Sequence, residues 1–155
     1  FTSLAPHKIL VTGRYKHFIS AFGEHVIANE VEKSLKKALE KIDLRVNEFT
    51  VAPEINPEKG LPFHQWWIEF DNIPNHTDLE TFANCLDQNM QEYNTYYKDL
   101  IEGKVLKKLE IVALRKDSFK NYMKKKGKLG GQNKLPRLSN DRKIAEEIEE
   151  WKEKK

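Results

Sequence analysis

The sequence predicts an α+β domain: a mainly antiparallel sheet flanked by helices, in the order strand, helix, strand, strand, helix, strand. Two C-terminal helices follow this core and a hinge hairpin precedes it. Three observations carry the prediction. Two long stretches repeat their apolar residues at helical spacing, several short ones are extended in character, and 155 residues is the size of one ordinary domain. Each long helix has a single apolar face, and a sheet is the surface that would cover both.

Residues 8–12 (KILVT) and 15–20 (YKHFIS) read as short strands separated by Gly13 and Arg14, where the chain can bend. Val31, Leu35, Ala38, Leu39 and Ile42 then fall at helical spacing, opposite Lys33, Lys36, Lys37 and Glu40, which predicts a helix over 28–41. Residues 46–51 and 63–70 are extended. In the second, Trp66, Ile68 and Phe70 share one face and Gln65, Trp67 and Glu69 the other, with the 53–62 segment as connection. Thr77 with Glu80 forms a capping box after Pro74, opening one long helix that buries Leu79, Phe82, Ala83, Leu86, Met90, Tyr93 and Tyr97 and stops before Gly103. Residues 109–114 (LEIVAL) are apolar enough for a strand internal to the sheet. Asp117 can cap a short helix through Lys126 that ends at Gly127; residues 129–138 fit neither period and form a loop. Ser139 or Asn140 opens a last helix with Ile144, Ile148 and Trp151 as its apolar stripe.

Composition narrows the function classes. With 39% hydrophobic residues and 3 Trp, 5 Tyr and 8 Phe, the chain is too apolar and aromatic for disorder. No apolar run approaches the roughly 20 residues needed to cross a bilayer, and nothing at the start resembles a signal peptide. The single Cys85 permits no internal disulfide and no zinc site of the Cys-pair type, so a reducing, cytoplasmic setting is expected. The chain opens on Phe1 and its only methionines are Met90 and Met123, as expected of a piece of a longer polypeptide. Charge is segregated: residues 1–114 hold 13 Lys and Arg against 17 Asp and Glu, whereas residues 115–155 hold 14 against 7. Residues 115–137 carry nine basic side chains and only Asp117 as an acid, a pattern that attracts phosphate.

Chemistry-bearing motifs are few. His7, His17, His25, His64 and His76 include no pair at i, i+3 or i+4, so no metal site is expected. The serines lie in no Gly-x-Ser-x-Gly setting, Cys85 sits on the long helix where packing explains it, and Gly130-Gly131 lacks the phosphate-loop pattern. Two unusual segments remain. One runs from Gly13 to Val26 (GRYKHFISAFGEHV) into a helix containing Glu30-Val31-Glu32; the other is Gly130 to Arg137 (GGQNKLPR).

The first segment resembles the hinge motif of adenylate-forming enzymes: Gly-Arg, an apolar stretch, Gly, and a helix with a Glu-Ile-Glu-like start. Across essentially its whole length the chain is similar to the C-terminal domain of the auxin-responsive promoter (Gretchen-Hagen-three) family of acyl acid amido synthetases, of bacterial type. The stretches HFISAFGEHVI, NEFTVAPEINPEKGLPFHQWWIEFDN and GKLGGQNKLPRLSNDRK carry the resemblance, and Lys134-Leu135-Pro136-Arg137 is similar to the Lys-x-Pro-Arg of plant members.

The resemblance implies a two-step, ATP-dependent ligase: a carboxylic acid becomes an acyl adenylate, then an amine or amino acid takes the acyl group. It implies an N-terminal adenylation domain on the same polypeptide, binding most of the ATP and the acid, and a small domain, residues 1–155, that rotates between the steps. Within it, residues 1–22 would be hinge and hairpin, 23–114 the core, and 115–155 the basic helix, catalytic-lysine loop and terminal helix. Lys134 would be catalytic and bind ATP, Arg14 would contact the nucleotide, and Lys16 would be the hinge. The turn of Gly23, Glu24 and His25 would face the acceptor side; plant members tend to have Lys where His25 stands, which leaves the plant amino-acid contact untransferred. Mg2+ is expected for the whole enzyme with no ligands in this chain, and the isolated domain is expected to be inactive. A competing reading, an RNA-recognition module, shares the strand order and the basic tail but lacks that family's Lys/Arg-Gly and alternating-aromatic signature.

Overall fold

A computed structural model describes residues 3–4, 7–8, 18–128, 130 and 134–153. In chain order the elements are β1 (Ser3–Leu4), β2 (His7–Lys8), β3 (Phe18–Ile19), β4 (Val26–Ile27), α1 (Ala28–Lys41), β5 (Val46–Glu54), β6 (Phe63–Phe70), α2 (His76–Tyr93), α3 (Thr95–Glu102), β7 (Glu110–Leu114), α4 (Ser118–Lys125), α5 (Lys143–Ile148) and a 3-10 turn (Glu149–Trp151). The α+β class holds, with one change to the sheet. β5 and β6 are antiparallel, but β7 lies parallel to β6, and the order β5-β6-β7 puts β7 at an edge, not inside. Its apolar residues are explained by cover on its faces.

β6 occupies the centre and is buried almost throughout, because its alternation feeds two cores at once. Trp66, Ile68 and Phe70 join Val31, Leu35, Ala38, Phe82, Leu86, Met90 and Tyr97 beneath α1, α2 and α3. Trp67 points to the opposite face, where it meets Ala52, Leu114, Phe119, Tyr122, Ala145 and Ile148 from the neighbouring strands and from α4 and α5. Helices therefore cover both faces. Pro53 is tolerated in β5 because that strand is an outer one, where a missing N–H breaks no ladder on its free side.

The C-terminal segment ties the outer strands. Leu138 bridges to Val51, with Val51 N–H donating to Arg137 O (2.9 Å) and Ser139 N–H to Val51 O (3.0 Å). The chain then passes across the second face as α5, and Glu153 N–H donates to Ala113 O (2.9 Å) on β7. Both exposed sheet edges are thereby partly closed.

Several helix and strand limits differ from expectation for local reasons. The predicted long helix breaks at Asn94, whose side chain accepts from Tyr97 N–H at 2.7 Å and opens α3 while ending α2. The break turns Tyr97 inward and leaves Tyr93 40% exposed, not buried. Asn75, not Thr77, caps α2, accepting from Asp78 N–H at 2.8 Å. α5 begins at Lys143, later than Ser139 or Asn140, with Asp141 accepting from Lys143 N–H at 3.0 Å. β3 pairs across residues 20–25 with β4, and Lys8 pairs with Ser3; the hairpin expected across Gly13 and Arg14 lies outside the described residues. The expected strand segments at 9–12 and 15–17 lie outside the described residues.

Helix α4 shows a cap that the sequence conceals. Asp117 adopts a left-handed conformation (φ 66°) and makes no side-chain cap. Glu69, reaching from β6, accepts instead from Asp117 N–H (3.0 Å) and Phe119 N–H (2.9 Å), its negative charge set against the positive end of the helix. Glu69→Ala should lower unfolding free energy by about 2–3 kcal/mol, because two donors lose their acceptor in a buried setting. Glu69→Gln should recover part of that loss, and Glu58→Ala, at an exposed position, should stay within about 0.5 kcal/mol. Denaturant titration of the three variants measures this; equal midpoints for Glu69→Ala and Glu58→Ala would remove the cap from the account.

Candidate functional site

The second unusual segment lies where α4 ends. Gly127, at φ +65°, takes the left-handed conformation that terminates the helix, and the chain then travels toward the β5 edge. From Pro136 onward it is pinned. Thr50 Oγ1 donates to Pro136 O at 2.8 Å, and the bonds to Val51 hold Arg137 and Ser139. Arg137 is itself fixed: it pairs with Glu48, lies 3.5 Å from Glu32, and stacks 4.9 Å from the centre of Phe49. Lys134 stands two residues before this pinned stretch. It is exposed and makes no ion pair or hydrogen bond with any described residue.

Lys134 borders an open cavity of about 610 Å³ between the end of α4 and α5, walled by Tyr122, Met123, Leu135, Ile144 and Glu147 and rimmed by Lys126, Lys128 and Lys143. Its interior polar contacts are settled. Tyr122 Oη donates to Glu147 at 2.7 Å, and Lys126 reaches the other oxygen at 3.0 Å. Those two bonds hold the Glu147 carboxyl below its usual range, while burial and the same carboxylate push the Tyr122 phenol well above its ordinary value.

The basic character of residues 115–137 is smaller in space than in sequence. Lys116 pairs with Asp71 (3.0 Å), Lys125 with Glu150 (2.7 Å), Lys126 with Glu147, and Arg137 with Glu32 and Glu48. Among the described residues, the lysines beside the cavity without a close carboxylate partner are Lys128, Lys134 and Lys143, and Asp141 is an exposed acid on the same lining.

The first unusual segment forms a turn between β3 and β4. Gly23 (φ 91°) and His25 (φ 46°) both take positive φ, which Gly adopts freely and His does not. Gly23 and His25 are exposed, but Glu24 is fully buried, its carboxylate 2.8 Å from His64 Nε2 on β6 and accepting from Phe22 N–H at 2.8 Å. Burial would raise this carboxyl; the hydrogen bond and charge of His64, with the Phe22 N–H, outweigh it and hold it below the usual carboxylate range. Of the three turn residues, only Gly23 and His25 present outward. Arg14 and Lys16 lie outside the described residues.

The two segments are linked through their flanks: Ser20 N–H, entering the turn, donates to Asn140 Oδ1 (2.9 Å), just beyond the pinned stretch, and Arg137 lies 3.5 Å from Glu32 on α1. They do not share a pocket, since none of Gly23, Glu24 and His25 lines the cavity beside Lys134. Sequence reasoning missed His64, Asn94 and Glu69. The available signal was phase: His64 shares the inward face of Trp66 and Ile68, and a histidine among apolar neighbours needs a polar partner.

The RNA-recognition reading fails on this geometry. Such a sheet needs one face open for base stacking, whereas Trp66, Trp67 and Phe70 are buried and both faces are covered by helices. Among the described residues no three His, Cys, Asp or Glu converge as a metal site, and no helix is long and apolar enough to cross a membrane.

Among solved structures, the fold resembles that described as GH3.15 acyl acid amido synthetase, at 20% identity and a TM-score of 0.73, covering 92% of this chain and 28% of that one. It also resembles "AtGH3.15 acyl acid amido synthetase in complex with 2,4-DB", at 20% identity and a TM-score of 0.70, covering 92% and 27%. The chain thus spans little more than a quarter of the length of either protein. Comparison with curated proteins finds no match. A sequence model of the GH3 family C-terminal domain matches residues 29–143, from the start of α1 to the start of α5, and on that match the chain belongs to the GH3 family.

Proposed function

We propose that this chain is the mobile C-terminal domain of an ATP-dependent acyl acid amido synthetase and that Lys134 is its catalytic cation. The observation that carries the reading is the placement of Lys134: an exposed ammonium group, unpaired among the described residues, two residues before a stretch stapled to β5. Such a group has freedom to reach and a fixed exit point. Family membership supports the reading.

In the first step a carboxylate oxygen attacks the α-phosphorus of ATP, the bond to the bridging oxygen breaks, and pyrophosphate departs. Negative charge is redistributed around the α-phosphate as this happens, and the Lys134 ammonium stabilises it in a site that excludes water once the domains close. In the second step the amine nitrogen attacks the acyl carbon, AMP leaves with the bonding pair, and the nitrogen loses a proton. The domain turns between the two, withdrawing Lys134 and bringing the outward-facing Gly23 and His25 toward the acceptor. Arg14 contacting the nucleotide and Lys16 as hinge complete the proposal. Mg2+ would be held by ATP and the N-terminal domain. The reading places the enzyme in the cytoplasm, where its ATP is found.

Lys134→Ala in the full-length protein should slow acyl-adenylate formation, read as ATP–pyrophosphate exchange, by ~100-fold or more. Amide formation from chemically supplied acyl adenylate should largely survive, and stability should change by no more than about 0.5 kcal/mol. Equal losses in both half-reactions, or none in either, would remove Lys134 from the role. Lys16→Pro, which fixes φ near −65° and deletes a donor, should impair one half-reaction and spare the other; wild-type rates in both would show that the hinge lies elsewhere.

A further inference from the structure

The turn that presents His25 is held by three buried polar residues, Glu24, His64 and Asn94. Glu24 and His64 are 0% and 1% exposed. Asn94, 4% exposed at the break between α2 and α3, donates from Nδ2 to Glu24 O (3.0 Å), His25 O (3.5 Å) and Glu30 Oε2 (3.0 Å). Its own Oδ1 accepts from Tyr97 N–H at 2.7 Å, so the residue that breaks the helix also grips the turn. The Tyr97 ring lies 5.1 Å from that of His64, and its hydroxyl donates to Asp87 at 2.6 Å.

Two separate elements direct polar atoms at residues 24 and 25, β6 through His64 and the α2–α3 junction through Asn94, while Glu30 at the start of α1 holds Asn94 and the Ile27 N–H beside them. Burying an ionisable pair is a poor way to gain stability, because the desolvation of both groups consumes most of their attraction. Its attested use is conformational specificity. Here the backbone being specified includes a non-glycine residue at φ 46°, a conformation that persists only where surrounding contacts impose it. Among the described residues, nothing packs on the outer side of Gly23, where an added Cβ would meet no atom within 4 Å.

We propose that Glu24, His64 and Asn94 are positioning residues that lock the 23–25 turn in one conformation, so that His25 is presented to the acyl-transfer step at a fixed place. The inference rests on the reading that this turn serves the second half-reaction. None of the three touches substrate; they act through the backbone of the turn. His25 keeps its side chain outside, with its ring 5.1 Å from that of Phe18, and its placement is inherited from Glu24 and His64 beneath it.

The test uses the full-length enzyme with Glu24→Ala, Glu24→Gln and Asn94→Ala, measuring both half-reactions and amide hydrogen exchange. For Glu24→Ala, amide formation from supplied acyl adenylate should fall by about 100-fold, the scale on which a small misplacement acts. Pyrophosphate exchange should stay within about twofold. Exchange at the Phe22 amide should accelerate at least about tenfold while Trp67 and Ile68 in β6 keep their protection, as expected of local opening. Glu24→Gln, which retains an acceptor for Phe22 N–H, should recover most of the second step, and Asn94→Ala should repeat the split should Glu24→Ala fail to fold. Equal slowing of both half-reactions would reduce the cluster to a general structural role and overturn the proposal, as would a loosened Phe22 amide with undiminished acyl transfer. If the wild-type enzyme performs neither half-reaction, the ligase reading fails. The catalytic part of this proposal falls with it, and the lock is then decided by exchange alone, overturned if Phe22 is no faster in Glu24→Ala.

Discussion

Everything in this domain is referenced to strand β6. Its eight residues sit between two outer strands and under helices on both faces, so their side chains are constrained from every direction. Trp66 and Trp67, adjacent in sequence, anchor separate cores. The polar residues of the same strand hold the surface features: His64 grips the 23–25 turn, Gln65 accepts from Arg142 at 2.8 Å, and Glu69 caps α4, from whose far end the Lys134 loop departs. The two candidate functional regions have no pocket in common but are positioned by neighbouring residues of one rigid element, which is the arrangement expected where the precision of a site depends on its supporting shell.

This division suits a part that works in two orientations. A domain that presents one surface for activation and another for transfer needs both surfaces fixed relative to each other and only its connection to the remainder of the protein free. The C-terminal segment contributes to that fixity by bonding to β5 at one side of the sheet and β7 at the other. Charge is managed in the same sense. Most of the basic side chains near Lys134 with close carboxylate partners serve to pack α4 against α5 or to seat the loop on β5, and Lys134 is kept apart from them.

Much of this was legible from sequence where one physical rule dominated. The alternation of residues 63–70 fixed which ring enters which layer, and the periodicity of residues 28–41 located α1 with both ends correct, since a single strongly amphipathic pattern had no rival. The errors arose where two local rules competed. A continuous apolar pattern ran through Asn94, but an asparagine that can cap a new helix ends the old one. The apolar 109–114 stretch was read as internal because sequence does not reveal that a later segment will cover an outer strand. Among the candidate residues, the proposal for Lys134 draws on loop chemistry and a family-like motif that the sequence displays. Glu69 as a cap and the Glu24–His64 pair were not legible there, because each depends on contacts between residues 40 or more positions apart.

The most direct measurement of the central claim is residue-level chemical footprinting of the full-length enzyme, with lysine acetylation reporting on Lys134 and imidazole modification on His25. Two states would be compared: one held by an unreactive ATP analogue with the acid, the other by a non-hydrolysable acyl-adenylate mimic with the amine. Reciprocal protection is the predicted result, with Lys134 shielded and His25 open in the first state, and the reverse in the second. Protection of both in the same state, or of neither in either state, would contradict a domain that turns two separate surfaces toward one site in succession.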